Sequence, residues 1–73
     1  MENPRTIVLA DDHREVRSLI RTILEEEWHI LGEAANGVEA VELCRTLQPD
    51  IVVLDVSMPV MNGIEAAKLI TSS

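Results

Sequence analysis

Two short apolar runs, each closed by carboxylates, constrain this chain more than anything else in it. Thr6-Ile7-Val8-Leu9-Ala10 runs straight into Asp11-Asp12, and Ile51-Val52-Val53-Leu54 runs into Asp55. Neither run alternates apolar with polar residues. A strand that reads this way is buried on both faces, which requires helices above and below a parallel sheet.

The intervening segments supply those helices. Val16, Leu19, Ile20, Ile23 and Leu24 recur at helical spacing, with Arg14, Glu15, Arg17 and Arg21 off the stripe, so an amphipathic helix follows the first strand. His29 to Ala34 reads as a weaker second strand, because Gly32 interrupts it and Glu33 must face water; it suits a sheet edge. After Asn36-Gly37, the residues Ala40, Leu43, Cys44 and Leu47 mark one face of a second helix, which Pro49 stops. The Ile51–Leu54 run, the most apolar of the three, is expected at the centre of the sheet. Beyond the Met58-Pro59 loop, Gly63, Ala66, Ala67 and Ile70 form the small-residue face of a third helix, and Thr71-Ser72-Ser73 follows as a plain end.

Each helix start resembles a capping box: Asp12-x-x-Glu15, Asn36-x-x-Glu39 and Asn62-x-x-Glu65. Their separations of 24 and 26 residues match one strand-helix unit each. Alternating elements with short connections imply right-handed crossovers, so the fold class is α/β, a parallel (βα)₃ unit. The carboxylates that end the strands then converge on one edge, where open α/β sheets carry their sites.

Composition narrows the function. The 73 residues make one domain at most, and a chain of this size buries only about 60% of its unfolded surface, so stability is marginal. With 47% hydrophobic and 26% charged residues, folding rather than disorder is expected. A net charge of −7 opposes direct binding to nucleic acid or anionic lipid. No apolar run approaches the roughly 20 residues that span a bilayer, and Met1-Glu2-Asn3-Pro4-Arg5 lacks the build of a signal peptide, so a cytoplasmic protein is expected. Cys44 is the only cysteine and reads as a small core residue.

The chemistry lies in the acidic residues. If the first and third strands are neighbours, Asp11, Asp12 and Asp55 crowd together, and like charges that close call for a cation with oxygen ligands. Mg²⁺ fits best, since it accepts one or two carboxylates together with waters and phosphoryl oxygens. Taken singly, each residue has a plainer reading: Asp12 caps the first helix, and Asp11 and Asp55 are polar strand ends at solvent. His13 reads as a surface residue of the first helical turn, and His29 beside Trp28 has no evident partner. Met58 and Met61 read as packing over a loop, and Glu25-Glu26-Glu27 as a solvated face.

The joint pattern is specific. Val8-Leu9-Ala10-Asp11-Asp12-His13, then Ala35-Asn36-Gly37 with Glu39-Ala40, then Gln48-Pro49-Asp50, and finally Ile51-Val52-Val53-Leu54-Asp55-Val56-Ser57-Met58-Pro59 with Asn62-Gly63 resemble the receiver domains of two-component response regulators, in order and across residues 1–73. The Asp-Asp-His start is similar to the class with a LuxR-type helix-turn-helix output. The resemblance implies a flavodoxin-like parallel sheet with strand order 2-1-3. It also implies Asp55 as phosphoacceptor from a histidine kinase, and Asp11, Asp12, Asp55 and the Ser57 backbone carbonyl as Mg²⁺ ligands. It describes a signalling module rather than a turnover enzyme.

The family pattern has about five strand-helix units, and three are present here. The later strands carry a Ser or Thr, a Lys and an aromatic residue that work at the phosphoryl group, whereas here Phe and Tyr are absent and the one lysine, Lys68, falls in the third helix. A truncated receiver with slow or absent phosphorylation is therefore expected, together with a homodimer that covers the open edge of the third strand. The alternative function is a non-catalytic self-association or receiver-pairing fragment. A haloacid-dehalogenase-like phosphatase is disfavoured, because that family has a second Asp two residues after its nucleophile and Ser57 stands there.

Overall fold

The computed structural model describes residues 5–72. The expectations for Met1–Pro4 and for Ser73 lie outside these residues. The elements follow in the order β1 (Arg5–Ala10), α1 (Arg14–Leu24), β2 (Trp28–Ala34), α2 (Gly37–Leu47), β3 (Ile51–Leu54) and α3 (Gly63–Thr71). The three strands are parallel and lie in the order β2-β1-β3. β1 is thus the central strand, and Ile7, Val8, Leu9 and Ala10 are fully buried in it.

β2 lies at an edge, as its glycine and glutamate led one to expect. The register jumps from Ile7 opposite Ile30 to Val8 opposite Gly32, so Leu31 is the extra residue of a bulge beside the glycine. The placing of β3 corrects the expectation of a central strand. It pairs only with β1, and Val52, Val53 and Leu54 are half-buried. Its apolar run is that of a strand meant for cover on both faces, yet one edge is open among the described residues.

The crossover from β1 to β2 and the one from β2 to β3 run in opposite directions across the sheet, so right-handed connections put α1 on one face and α2 on the other. α3 packs beside α2, and a small core of Ala10, Ala34, Ala40 and Met58 lies beneath them with Leu43 and Leu54 against it. The expected faces of α2 and α3 hold in part: Ala40, Cys44, Gly63 and Ala66 are buried, whereas Leu47 is exposed. Burial pushes the Cys44 thiol above its ordinary pKa, in keeping with a core residue.

α1 departs from the sequence reading. It is a helix over the expected residues, but none of them is buried. Ile20 and Leu24 are half-buried, whereas Val16, Leu19 and Ile23 are 44%, 66% and 70% exposed. The caps differ too. Asn62 and Glu65 form a full capping box, while Asn36 caps the Glu39 amide and Glu39 reaches the Ala35 amide instead of that of Asn36. At α1 the N-cap is His13, not Asp12, and no side chain caps it.

A bracket at the far end of the sheet ties the start of β1 to the start of β3. The Thr6 amide and hydroxyl both donate to the Asp50 carboxylate, at 2.8 and 3.0 Å, and the Asp50 amide donates back to the Thr6 carbonyl. No helix among the described residues is long and apolar enough to cross a membrane.

Candidate functional site

β1 and β3 stay in register to their ends, with Ala10 opposite Leu54. The next residue of each strand is an aspartate, so parallel pairing delivers both carboxylates to one place. Backbone bonds hold them there: the Asp11 amide donates to the Ala34 carbonyl at 3.0 Å, and the Asp55 amide to the Ala10 carbonyl at 2.9 Å. One ligand atom from each of Asp11, Asp12, His13 and Asp55 lies within 4.8 Å of the other three. The three acidic residues expected to meet do meet.

Asp11 is buried, Asp55 is half-buried, and Asp12 and His13 are exposed. The Asp11 carboxylate accepts the His13 amide at 2.8 Å, a tight turn that leads β1 into α1. The His13 ring, read from sequence as mere surface, sits with Nδ1 3.3 Å from Asp11 and 3.0 Å from Asp12. Among the described residues no arginine or lysine forms an ion pair with Asp11, Asp12 or Asp55.

The loop from Asp55 to Asn62 runs from the site to the start of α2, where the Met61 carbonyl accepts the Gly37 amide at 3.0 Å. Ser57 is exposed, and its amide donates to the Asp55 carboxylate at 3.3 Å. Val60 has φ of 68°, an uncommon setting for a β-branched residue, inside a three-residue turn closed by the Met61 amide on the Pro59 carbonyl. Two glycines let the backbone close. A Cβ on Gly63 would run into the Asp55 carbonyl, and one on Gly37 into the Met61 carbonyl. Met58, expected to pack over the loop, is instead buried in the core with Ala10, Ala34 and Ala40.

One group escaped the sequence reading. Arg17, on α1, donates from Nη1 to the Asp11 backbone carbonyl at 2.6 Å and from Nε to Glu33 of β2 at 3.0 Å. Glu33 also pairs with Arg21. Burial works against ionised Glu33, but the hydrogen bonds from Arg21 and Arg17 outweigh it and hold the carboxyl below its ordinary pKa. Arg17 and Arg21 one turn apart, with a lone glutamate in an apolar strand, were the available signal. The sequence separations of 12 and 16 residues hid the pairing.

The donor set suits a hard divalent cation. It is dominated by carboxylate oxygens, which need neutralising at this spacing.

Comparison with known proteins agrees with the geometry. The family model described as "Response regulator receiver domain" matches residues 7–73. The chemotaxis protein CheY of Halobacterium salinarum is 50% identical over 62 residues, 85% of this chain and 52% of that protein. A LuxR-family two-component response regulator from Aurantimonas superposes with a TM-score of 0.89 at 39% identity, over 96% of this chain and 51% of that one. The receiver domain of the putative response regulator NarL from Mycobacterium tuberculosis gives a TM-score of 0.93 at 32% identity, over 97% and 59%. The chain spans about half the length of these relatives. The family match over residues 7–73 and the close superposition of the β2-β1-β3 fold show that the chain belongs to the family of response-regulator receiver domains.

Proposed function

We propose that this chain is a phosphoacceptor and Mg²⁺-binding signalling module. Asp55 would be the acceptor; Asp11, Asp12 and Asp55, with the backbone carbonyl of Ser57, would hold the metal. The convergence of the three carboxylates at the ends of neighbouring strands, within 4.8 Å and without an arginine or lysine partner among the described residues, carries this reading. The donor implied by the family is the phosphohistidine of a histidine kinase. A carboxylate oxygen of Asp55 attacks phosphorus, the P–N bond breaks, and the histidine nitrogen leaves with a proton, giving an acyl phosphate. Bound Mg²⁺ would neutralise charge on the phosphoryl oxygens.

This chain's own residues set the stage. The Asp55 amide bond to Ala10 fixes where the nucleophile stands, and the Ser57 amide orients one of its oxygens. Lys68, the one lysine in the sequence, is exposed on α3, and among the described residues no lysine pairs with the cluster as a positive clamp. Loss of such a group can lower a phosphoryl-transfer rate by several powers of ten, so transfer to the 73-residue chain should be slow. The test is a Mg²⁺ titration followed by amide NMR, then labelling with a phosphodonor. Saturable shifts at Asp11, Asp12 and Asp55, and labelling lost in Asp55→Ala, support the reading; their absence overturns it.

A second reading, self-association, is favoured by one observation. Val16, Leu19 and Ile23 stand exposed on α1 while β3 keeps an open edge among the described residues. A second copy of this chain would cover both, with the strand edges pairing or the apolar faces meeting.

A further inference from the structure

We propose that Arg17 is a positioning residue of the acidic cluster, acting through the backbone of Asp11. This rests on the reading of Asp11 and Asp12 as metal ligands. The Arg17 side chain is only 17% exposed, and it reaches two unlike partners at once: the Asp11 carbonyl at 2.6 Å and the Glu33 carboxylate at 3.0 Å. The Asp11 carbonyl opens the peptide that joins the two metal-binding aspartates. A charge-assisted bond to it fixes the direction of that peptide, and with it the angle at which Asp12 leaves Asp11. Glu33, on the edge strand, holds the guanidinium from the other side, and Arg21 holds Glu33. The acidic pair is thus braced against α1 and β2.

Positioning and plain electrostatics predict opposite signs. Arg17 is a cation beside a cation site, so by charge alone its removal should tighten Mg²⁺ binding. As a brace, its removal should loosen binding, by about tenfold, the lower end of what loss of an outer partner does to a metal site. Lysine keeps the charge but cannot fork between a carbonyl and a carboxylate in the same way.

The experiment compares wild type, Arg17→Met, Arg17→Lys and Glu33→Gln by NMR in increasing Mg²⁺, with the Asp11 carbonyl ¹³C shift recorded without metal. Expected are about tenfold weaker Mg²⁺ binding in Arg17→Met, an intermediate loss in Arg17→Lys and Glu33→Gln, and an upfield Asp11 carbonyl shift in Arg17→Met from the lost hydrogen bond. Equal or tighter binding in Arg17→Met, in a protein that keeps dispersed peaks, overturns the proposal and leaves the metal-site reading standing. Wild type without saturable Mg²⁺ shifts overturns the metal-site reading itself. Should Arg17→Met unfold, unchanged binding in folded Glu33→Gln and Arg17→Lys together overturns the brace equally.

Discussion

The Asp55 amide donates to the Ala10 carbonyl at 2.9 Å, so the proposed nucleophile is tied by its own backbone to the residue just before Asp11. Its carboxylate is held within 4.8 Å of those of Asp11 and Asp12. Like charges at that spacing repel by about 1 kcal/mol where water screens them. Asp55→Asn should therefore raise the melting temperature in metal-free buffer, by about 4–8 °C if the full repulsion is relieved. Calorimetry in EDTA checks this, and a fall in Tm would count against a crowded cluster.

Adding Mg²⁺ should reverse that ranking. A cation that binds only the folded chain stabilises it by about 2.7 kcal/mol at a hundred times its dissociation constant. Wild type should gain Tm with Mg²⁺, and Asp55→Asn should gain little. Equal gains in both proteins would place the binding elsewhere.

The close approach at Gly63 gives a sharper test of the loop. Gly63 and Gly37 each open a helix, where alanine has the better propensity. Yet each Cβ would meet a backbone carbonyl, of Asp55 and of Met61 respectively. Gly63→Ala and Gly37→Ala should each destabilise by about 1–3 kcal/mol, with Gly63→Ala also moving the Asp55 resonances. Gly32→Ala meets side-chain methyls rather than backbone, those of Leu43 at 3.3 and 3.4 Å and of Leu47 at 3.6 Å, and should be milder. Urea denaturation of the three variants ranks them.

Glu33 and Asp50 set the response to acid. Both carboxyls are held below their ordinary pKa: Glu33 because its Arg21 and Arg17 bonds outweigh burial, Asp50 because it accepts from the Thr6 amide and hydroxyl. A depressed carboxyl contributes stability that is complete above the unfolded pKa, about 4, and is lost as pH falls through the folded value. The stability gap between wild type and Glu33→Gln or Asp50→Asn should then hold from neutrality to about pH 5 and close below pH 4. Denaturation at stepped pH values measures it; a gap that widened in acid would contradict both assignments.

If two copies cover each other, Leu19→Glu with Ile23→Glu should leave a monomer. Both side chains are mostly exposed, so the change should disturb the fold little. Sedimentation at micromolar concentration reads the mass of each protein. A folded wild-type monomer would sink the self-association reading.

Much of this molecule is legible in the order of its residues. Strand type, helix spacing and the acidic residues that close β1 and β3 follow from local pattern, because burial on both faces excludes polar residues and parallel connection sends both strand ends the same way. The sheet order 2-1-3 followed from resemblance to receiver domains. Tertiary structure alone decided three things. Val16, Leu19 and Ile23 share a helical stripe, yet the stripe states only that a face is apolar, and what covers it depends on elements far along the chain. Asp12 sits in a capping pattern, but the turn made by Asp11 with the His13 amide shifts the helix start past it. Arg17 has an unremarkable place on α1, and it braces Asp11 only because β2 returns beside β1 and brings Glu33 within reach. Local pattern records what a residue prefers; which partner satisfies that preference is settled when distant strands pair.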